Sequence, residues 1–122
     1  MVSFLMTDLQ PLPNVTFEDF SKIEIRVGRI TAASVNSKAR KPAYILKIDF
    51  GPLGSRTSSA QLTRNYQPSQ LVGKNIAAVM NFPVKSVAGI KSEVLVLGAV
   101  NELQGVVLLE PDQDVELGSR IL

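Results

Sequence analysis

Apolar and polar residues alternate along much of this chain with a period of two. Ile23, Ile25 and Val27 alternate with Glu24 and Arg26, the spacing that sends successive side chains to opposite faces of a strand. At Gly28 the apolar set changes phase and moves to Ile30 and Ala32. A glycine at a phase change predicts a bulge or sharp bend, which a small barrel needs where one strand serves both halves of its sheet. On this pattern Arg26 stands opposite the Ile23, Ile25 and Val27 face, on the outer or groove side. A second run, Tyr44, Leu46, Ile48 and Phe50, ends at the turn Gly51-Pro52-Leu53-Gly54. Residues 56–62 read as a weaker, hydroxyl-rich strand, residues 75–82 as a fourth and residues 106–110 as a last one. Residues 93–100 are apolar at both parities. A strand of that kind needs cover on both faces. In a chain this small the second cover is expected from a partner subunit, which makes Val94, Leu95, Val96 and Leu97 candidate residues of a dimer interface.

Two short helical turns interrupt the strands. The hydroxyl of Thr16 can accept the amide of Asp19 and cap a turn that carries Phe17 and Phe20 on one face. That turn is expected to plug one end of the sheet. Pro68-Ser69-Gln70-Leu71 reads as a single turn started by proline and stopped by Gly73. Residues 1–15, with Pro11 and Pro13, form a leading arm, and residues 16–122 form the domain. Five short β runs with a helical turn between the third and fourth predict an all-β, five-stranded OB barrel.

Composition narrows the chemistry. The chain has 122 residues, enough for one domain that hides roughly 65–70% of its unfolded surface. It contains no cysteine and no histidine. Disulfides, thiolate metal sites and a cysteine nucleophile are therefore excluded, as is any triad built on histidine. Ser58, Ser59 and Lys47 do not make a serine–lysine pair, because no oxyanion-hole glycine turn stands beside either serine. Asp112, Asp114 and Glu116 lack the central glycine and distant glutamate of a calcium loop and read as a solvated turn. The expectation is a binding protein without cofactor or metal, not an enzyme. The apolar opening, residues 1–6, is shorter than a signal core, and no run reaches the ~18–20 apolar residues of a membrane helix. We therefore expect a cytoplasmic protein with no membrane insertion.

The charge is uneven. Residues 22–47 hold seven basic side chains and one acid, whereas residues 102–122 hold five acids and one base. Such asymmetry can mark a face that attracts anionic partners, or only scattered solvated charges.

Several motifs carry a family likeness. Phe20-Ser21-Lys22-Ile23-Glu24-Ile25-Arg26-Val27-Gly28-Arg29-Ile30 resembles the opening strand of the tRNA-binding-domain family. Tyr66-Gln67-Pro68-Ser69-Gln70-Leu71-Val72-Gly73-Lys74 resembles its proline-started turn. Residues 39–44, 58–63, 81–83 and 92–98 are similar to the CsaA branch of that family. The resemblance implies an OB barrel with terminal elements that build a homodimer. It also implies a chaperone for preproteins bound for secretion, acting with the export machinery, in a family whose founding activity is tRNA binding.

Eight residues are candidates for contact with peptide or RNA. Arg26 could meet a phosphate or a peptide carboxylate, or pair internally with Glu24 or Glu93. Arg40 and Lys41 lie in a loop at the barrel rim, where OB folds take ligands. Tyr44 could stack on a base or fill the core in phase with Leu46 and Ile48. Gln61, Arg64 and Asn81 could hydrogen-bond an extended backbone or satisfy the ends of the sheet. Phe82 could line an apolar pocket or join the core. With aromatic residues at only 6% of the chain, a base-stacking platform is less expected than a surface for unfolded polypeptide. The leading expectation is thus a CsaA-like chaperone, with tRNA binding as the alternative.

Overall fold

The sheet is organised on one long strand, β1 (Ile25–Val35). In this computed structural model, which describes residues 9–122, β1 meets different partners along its length. Its first half pairs antiparallel with β4 (Asn75–Val79), and Ile25 and Arg26 also pair with the last strand, β10 (Arg120–Ile121). Its second half pairs with β2 (Tyr44–Asp49), which in turn pairs with β3 (Ser55–Ala60). The short β7 (Leu95–Val96) extends the far edge of β4. The order β3-β2-β1-β4-β7 makes a five-strand antiparallel path that curls into a nearly closed barrel, the OB architecture expected from the pattern. Two hairpins stand apart from it: β5 (Lys85–Val87) with β6 (Ile90–Ser92), and β8 (Gly98–Asn101) with β9 (Gly105–Leu108).

The interior follows the predicted alternation of β2. Leu46, Ile48 and Phe50 are fully buried with Ile30 of β1 and Ile76 of β4. Gly28 matters here for packing. A Cβ at that position would lie 2.6 Å from both Ile48 Cγ2 and Phe50 Cε1, so only glycine lets β2 and its turn approach β1. The bulge lies further along than expected: the β1–β2 register shifts between Ile30 and Ala32, and the Thr31 hydroxyl donates to the Lys47 carbonyl at 3.2 Å.

The two helical turns exchange their expected parts. Thr16 caps α1 (Phe17–Ser21) as the sequence predicts, its Oγ1 accepting the Asp19 amide at 3.0 Å. Phe17 and Phe20 do meet, with ring centroids 6.4 Å apart. Yet no residue of α1 is buried, so it does not plug the sheet. The plug is α2 (Pro68–Leu71), whose Leu71 is fully buried. Its exit is tied to the bend in β1: Gly73 N donates to the Ile30 carbonyl at 2.8 Å, and Ile30 N to the Lys74 carbonyl at 2.9 Å. Gly73 makes that exit at φ +94°, a conformation that favours glycine.

Residues 93–100 are not one strand. Leu97 N donates to the Ala77 carbonyl, then the chain turns away to pair Gly98 with Leu108. Val94 is core-buried at 5% exposure, while Leu95 is 49% exposed. Within one chain, then, this stretch is covered on one side and open on the other.

The barrel closes between β3 and the segment entering β7 without a strand ladder. Thr57 N donates to Glu93 Oε1 at 2.9 Å, and Glu93 N donates back to the Thr57 carbonyl at 2.8 Å. Ser58 Oγ donates to the Val94 carbonyl at 2.9 Å, and Ser59 N to Ser92 Oγ at 3.0 Å. Ser58 supplies the hydroxyl of β3 in this seam, and Glu93 and Ser92 supply the side chains from the other wall, because polar side chains can satisfy backbone groups where a full strand is missing.

Candidate binding groove

Beside the seam the seam's two walls diverge into a groove of about 770 Å³. Three elements form it. The loop between β1 and β2 supplies Lys38, Arg40 and Lys41; the end of β3 supplies Ser59, Ala60 and Gln61; the β5–β6 hairpin supplies Lys85 and Val87. Leu62, Leu95, Val96 and Val106 make an apolar floor. Among the described residues, no carboxylate and no aromatic ring lines it.

The cationic loop is held by its own backbone. Asn36 N donates to the Ala43 carbonyl at 3.0 Å, Ala39 N donates to the Asn36 carbonyl at 3.2 Å, and Asn36 Oδ1 accepts the Lys38 amide at 3.3 Å. These bonds pinch the loop at its base and present its basic side chains at the rim. Among the described residues, none of Lys38, Arg40, Lys41 and Lys85 forms an ion pair. Four cations without internal partners, over a low-dielectric floor, create a field that attracts anionic groups.

The expected site residues separate into two sets. Arg40, Lys41 and Gln61 line the groove, joined by Leu95 and Val96 from the expected dimer set. The others are elsewhere. Arg26 is not on an outer face: it pairs in register with core-buried Ala78, so both side chains share the core-facing side at its margin. Its Nε donates to Glu24 Oε2 at 2.8 Å and its Nη1 to the Gly118 carbonyl at 2.9 Å, the internal pairing weighed above. Tyr44 is 5% exposed, so its ring is covered by its own chain and offers no stacking surface. Its hydroxyl donates to the Tyr66 carbonyl at 2.7 Å, and the Tyr66 hydroxyl accepts the Leu108 amide at 3.1 Å. Arg64 donates to the Glu102 and Leu103 carbonyls and so holds the β8–β9 turn. Asn81 bridges Lys22 and Glu24, donating from Nδ2 to the Lys22 carbonyl and accepting the Glu24 amide at Oδ1. Phe82 is 49% exposed but outside the groove.

Sequence reasoning missed Lys85, Leu62, Val106 and Ser92 as groove residues. Lys85 is a lone basic residue in its stretch of sequence and gives no local signal. The floor residues give no local signal, because Leu62 and Val106 meet only through the fold.

A second concavity, about 580 Å³, lies over the opposite face of β1 and β4. Ile25, Val27, Ala77 and Leu97 floor it, and Leu109 and Val115 of the C-terminal segment flank it. The odd-numbered residues of β1 that alternate so clearly in the sequence therefore face this trough.

Known proteins share this fold. The sequence profile of the family described as "Putative tRNA binding domain" matches residues 25–120. The chain is 50% identical to the chaperone CsaA of Bacillus anthracis, with a TM-score of 0.86 over 90% of this chain and 100% of that one. It is 51% identical to the CsaA chaperone protein of Picrophilus torridus, with a TM-score of 0.84 over 89% and 100%. A methionine–tRNA ligase of Methanococcoides burtonii is 34% identical over 107 residues, which is 88% of this chain and 16% of the ligase. The chain thus spans about a sixth of that enzyme's length. On the matched profile, the barrel and the solved relatives together, the chain belongs to the tRNA-binding-domain family as a CsaA-like member.

Proposed function

We propose that the groove holds apolar segments of unfolded polypeptides, and that the protein acts as a chaperone for preproteins on their way to export. One observation carries this reading: an apolar floor lies under four unpaired cations, with no aromatic ring among the lining residues. The floor rewards burial of apolar side chains at about 25 cal/mol per Å². The cations steer acidic stretches of the client toward it. A nucleic acid would set phosphates over Leu62 and Val96 and find no ring on which to stack a base. Two proteins with 50% and 51% identity carry the word chaperone in their names, which supports the same reading.

Aggregation of a reduced, unfolded model protein tests it. The purified protein should suppress light scattering at low salt, and Leu95→Asp together with Val96→Asp should abolish suppression. Unchanged suppression by that double variant would refute the groove as the site.

A second reading rests on the family match over residues 25–120 and on the same rim cations. If tRNA is the partner, affinity falls with salt by roughly 0.7–0.9 log units per log unit for each phosphate neutralised. Titration of tRNA at two salt concentrations, with peptide as competitor, separates the readings.

Residues 16–122 would act as one unit with residues 1–15 as an arm; residues 1–8 lie outside the described residues. We also take two chains to pair through the apolar outer trough, since Leu97, Leu109 and Val115 form a ready hydrophobic surface there. Solution mass by light scattering checks this: a concentration-independent monomer would rule it out.

A further inference from the structure

The tip of the β5–β6 hairpin is built against local preference. Val87 pairs with Ile90, so the turn consists of Ala88 and Gly89 alone. Both have positive φ, +48° at Ala88 and +82° at Gly89, the pattern of a type I′ turn. Such turns favour Asn-Gly or Gly-Gly, because a Cβ at positive φ crowds the following carbonyl and few residues other than glycine and asparagine enter that region readily. Among the described residues, Ala88 is the one non-glycine residue with positive φ. The hairpin by itself gives no reason for alanine there.

The two turn residues differ in what they face. Gly89 is exposed and lies outside the groove, and a Cβ added to it would meet no atom within 4 Å. Ala88 is half-buried and lines the groove, as do Lys85, Ser86 and Val87 before it. The hairpin pairs with no other sheet, and Val87 and Ala88 are the apolar residues it gives the groove. Strained backbone persists where its surroundings hold it, and it gathers at ligand sites. Here the strain falls on the turn residue that faces the groove, while glycine takes the one that faces open space.

We infer that Ala88 is a ligand-contact residue, and that its methyl helps to set which apolar side chains the groove takes. This rests on the polypeptide reading above and names one of its contacts. Relative to glycine, alanine adds one methyl; relative to asparagine, it lacks an amide. The methyl adds to the apolar lining that Leu62, Leu95, Val96 and Val106 provide, and it gives a leucine-sized side chain a wall to pack on. Glycine would leave that wall one carbon short. Asparagine would fit the turn, but it would set an amide against an apolar side chain that cannot satisfy it. The strain at Ala88 is thus what a small apolar residue at this position costs.

The test uses the full chain and a short synthetic peptide that alternates leucine with polar residues and carries acidic ends. A second copy has phenylalanine in place of each leucine. By calorimetry, Ala88→Gly should bind the leucine peptide about threefold more weakly, the worth of one buried methyl. It should lose less for the phenylalanine copy, whose ring reaches the wall without the methyl. Ala88→Asn should raise the urea midpoint, because asparagine suits the turn, yet weaken both peptides by about fivefold or more. A residue that served the turn alone would not move stability and affinity in opposite directions. Gly89→Asn alters the same turn on its solvent side and should bind within about twofold of the unaltered chain. Unchanged binding by both Ala88 variants would overturn the assignment, as would a loss in Gly89→Asn equal to that in Ala88→Asn. Failure of the unaltered chain to bind either peptide at low salt would overturn the polypeptide reading itself.

Discussion

The two sides of this barrel are built by different means. On the β1–β2–β4 side, strands are joined by continuous ladders, and Ile30, Ile48, Phe50 and Ile76 interlock at full burial. On the β3–β7 side, the barrel is sewn shut by Glu93, Ser92 and Ser58, with each bond running between side chain and backbone or between single backbone groups. The first side can lose little without unfolding. The second gives up ladder hydrogen bonds and keeps free backbone groups, apolar surface and unpaired charge where a ligand can use them. Stability and binding are thereby assigned to opposite sides of one small sheet, and substitutions should divide the same way.

The largest effect is expected deep on the laddered side. Phe50→Ala removes a fully buried ring and should cost about 3–5 kcal/mol, a large share of the 5–15 kcal/mol typical of a domain. Urea denaturation should show a much lower midpoint at unchanged slope. Gly28→Ala tests the same side by addition. Its new methyl would sit 2.6 Å from Ile48 and Phe50, and overpacking of this kind costs about 1–3 kcal/mol. If the melting temperature of Gly28→Ala matched that of the unaltered chain, the close approach of β1 to the core would not be what requires glycine.

The laddered side was also the side legible in the sequence. Alternation through Tyr44, Leu46, Ile48 and Phe50 names the core because a strand's side-chain period is local. The Thr16 cap and the Pro68 turn are local too, and both form as read. The seam is not local. Thr57 finds Glu93, and Ser59 finds Ser92, across more than thirty residues, and no periodicity carries that pairing. Residues 94–100 carry no polar side chain, which hides the turn at Leu97. The rim of the groove was half visible: Arg40 and Lys41 stood out as a basic loop, but Lys85 joins them only through the fold. Arg26 misled because it belongs to a basic stretch and a family motif, yet its guanidinium is occupied by Glu24 and Gly118.

On the seam side, charge should act on binding and not on folding. Lys41→Ala with Lys85→Ala removes two rim cations that make no ion pair. Unfolding free energy should stay within about 0.5 kcal/mol. Affinity for an acidic-ended peptide at low salt should fall about tenfold, and the loss should shrink as salt screens the field. Equal losses for acidic-ended and basic-ended peptides would show that the cations contribute packing and not charge.

The smallest effect is the most informative about the seam. Ser92→Ala removes the acceptor of the Ser59 N–H. In the free protein that donor faces the groove and can turn to water, so the cost should sit at the low end of a lost hydrogen bond, about 0.5–1 kcal/mol. Urea denaturation of Ser92→Ala checks this. A loss of about 2 kcal/mol or more would show that the Ser59 amide is left without water, and that the bond to Ser92 holds β6 against β3.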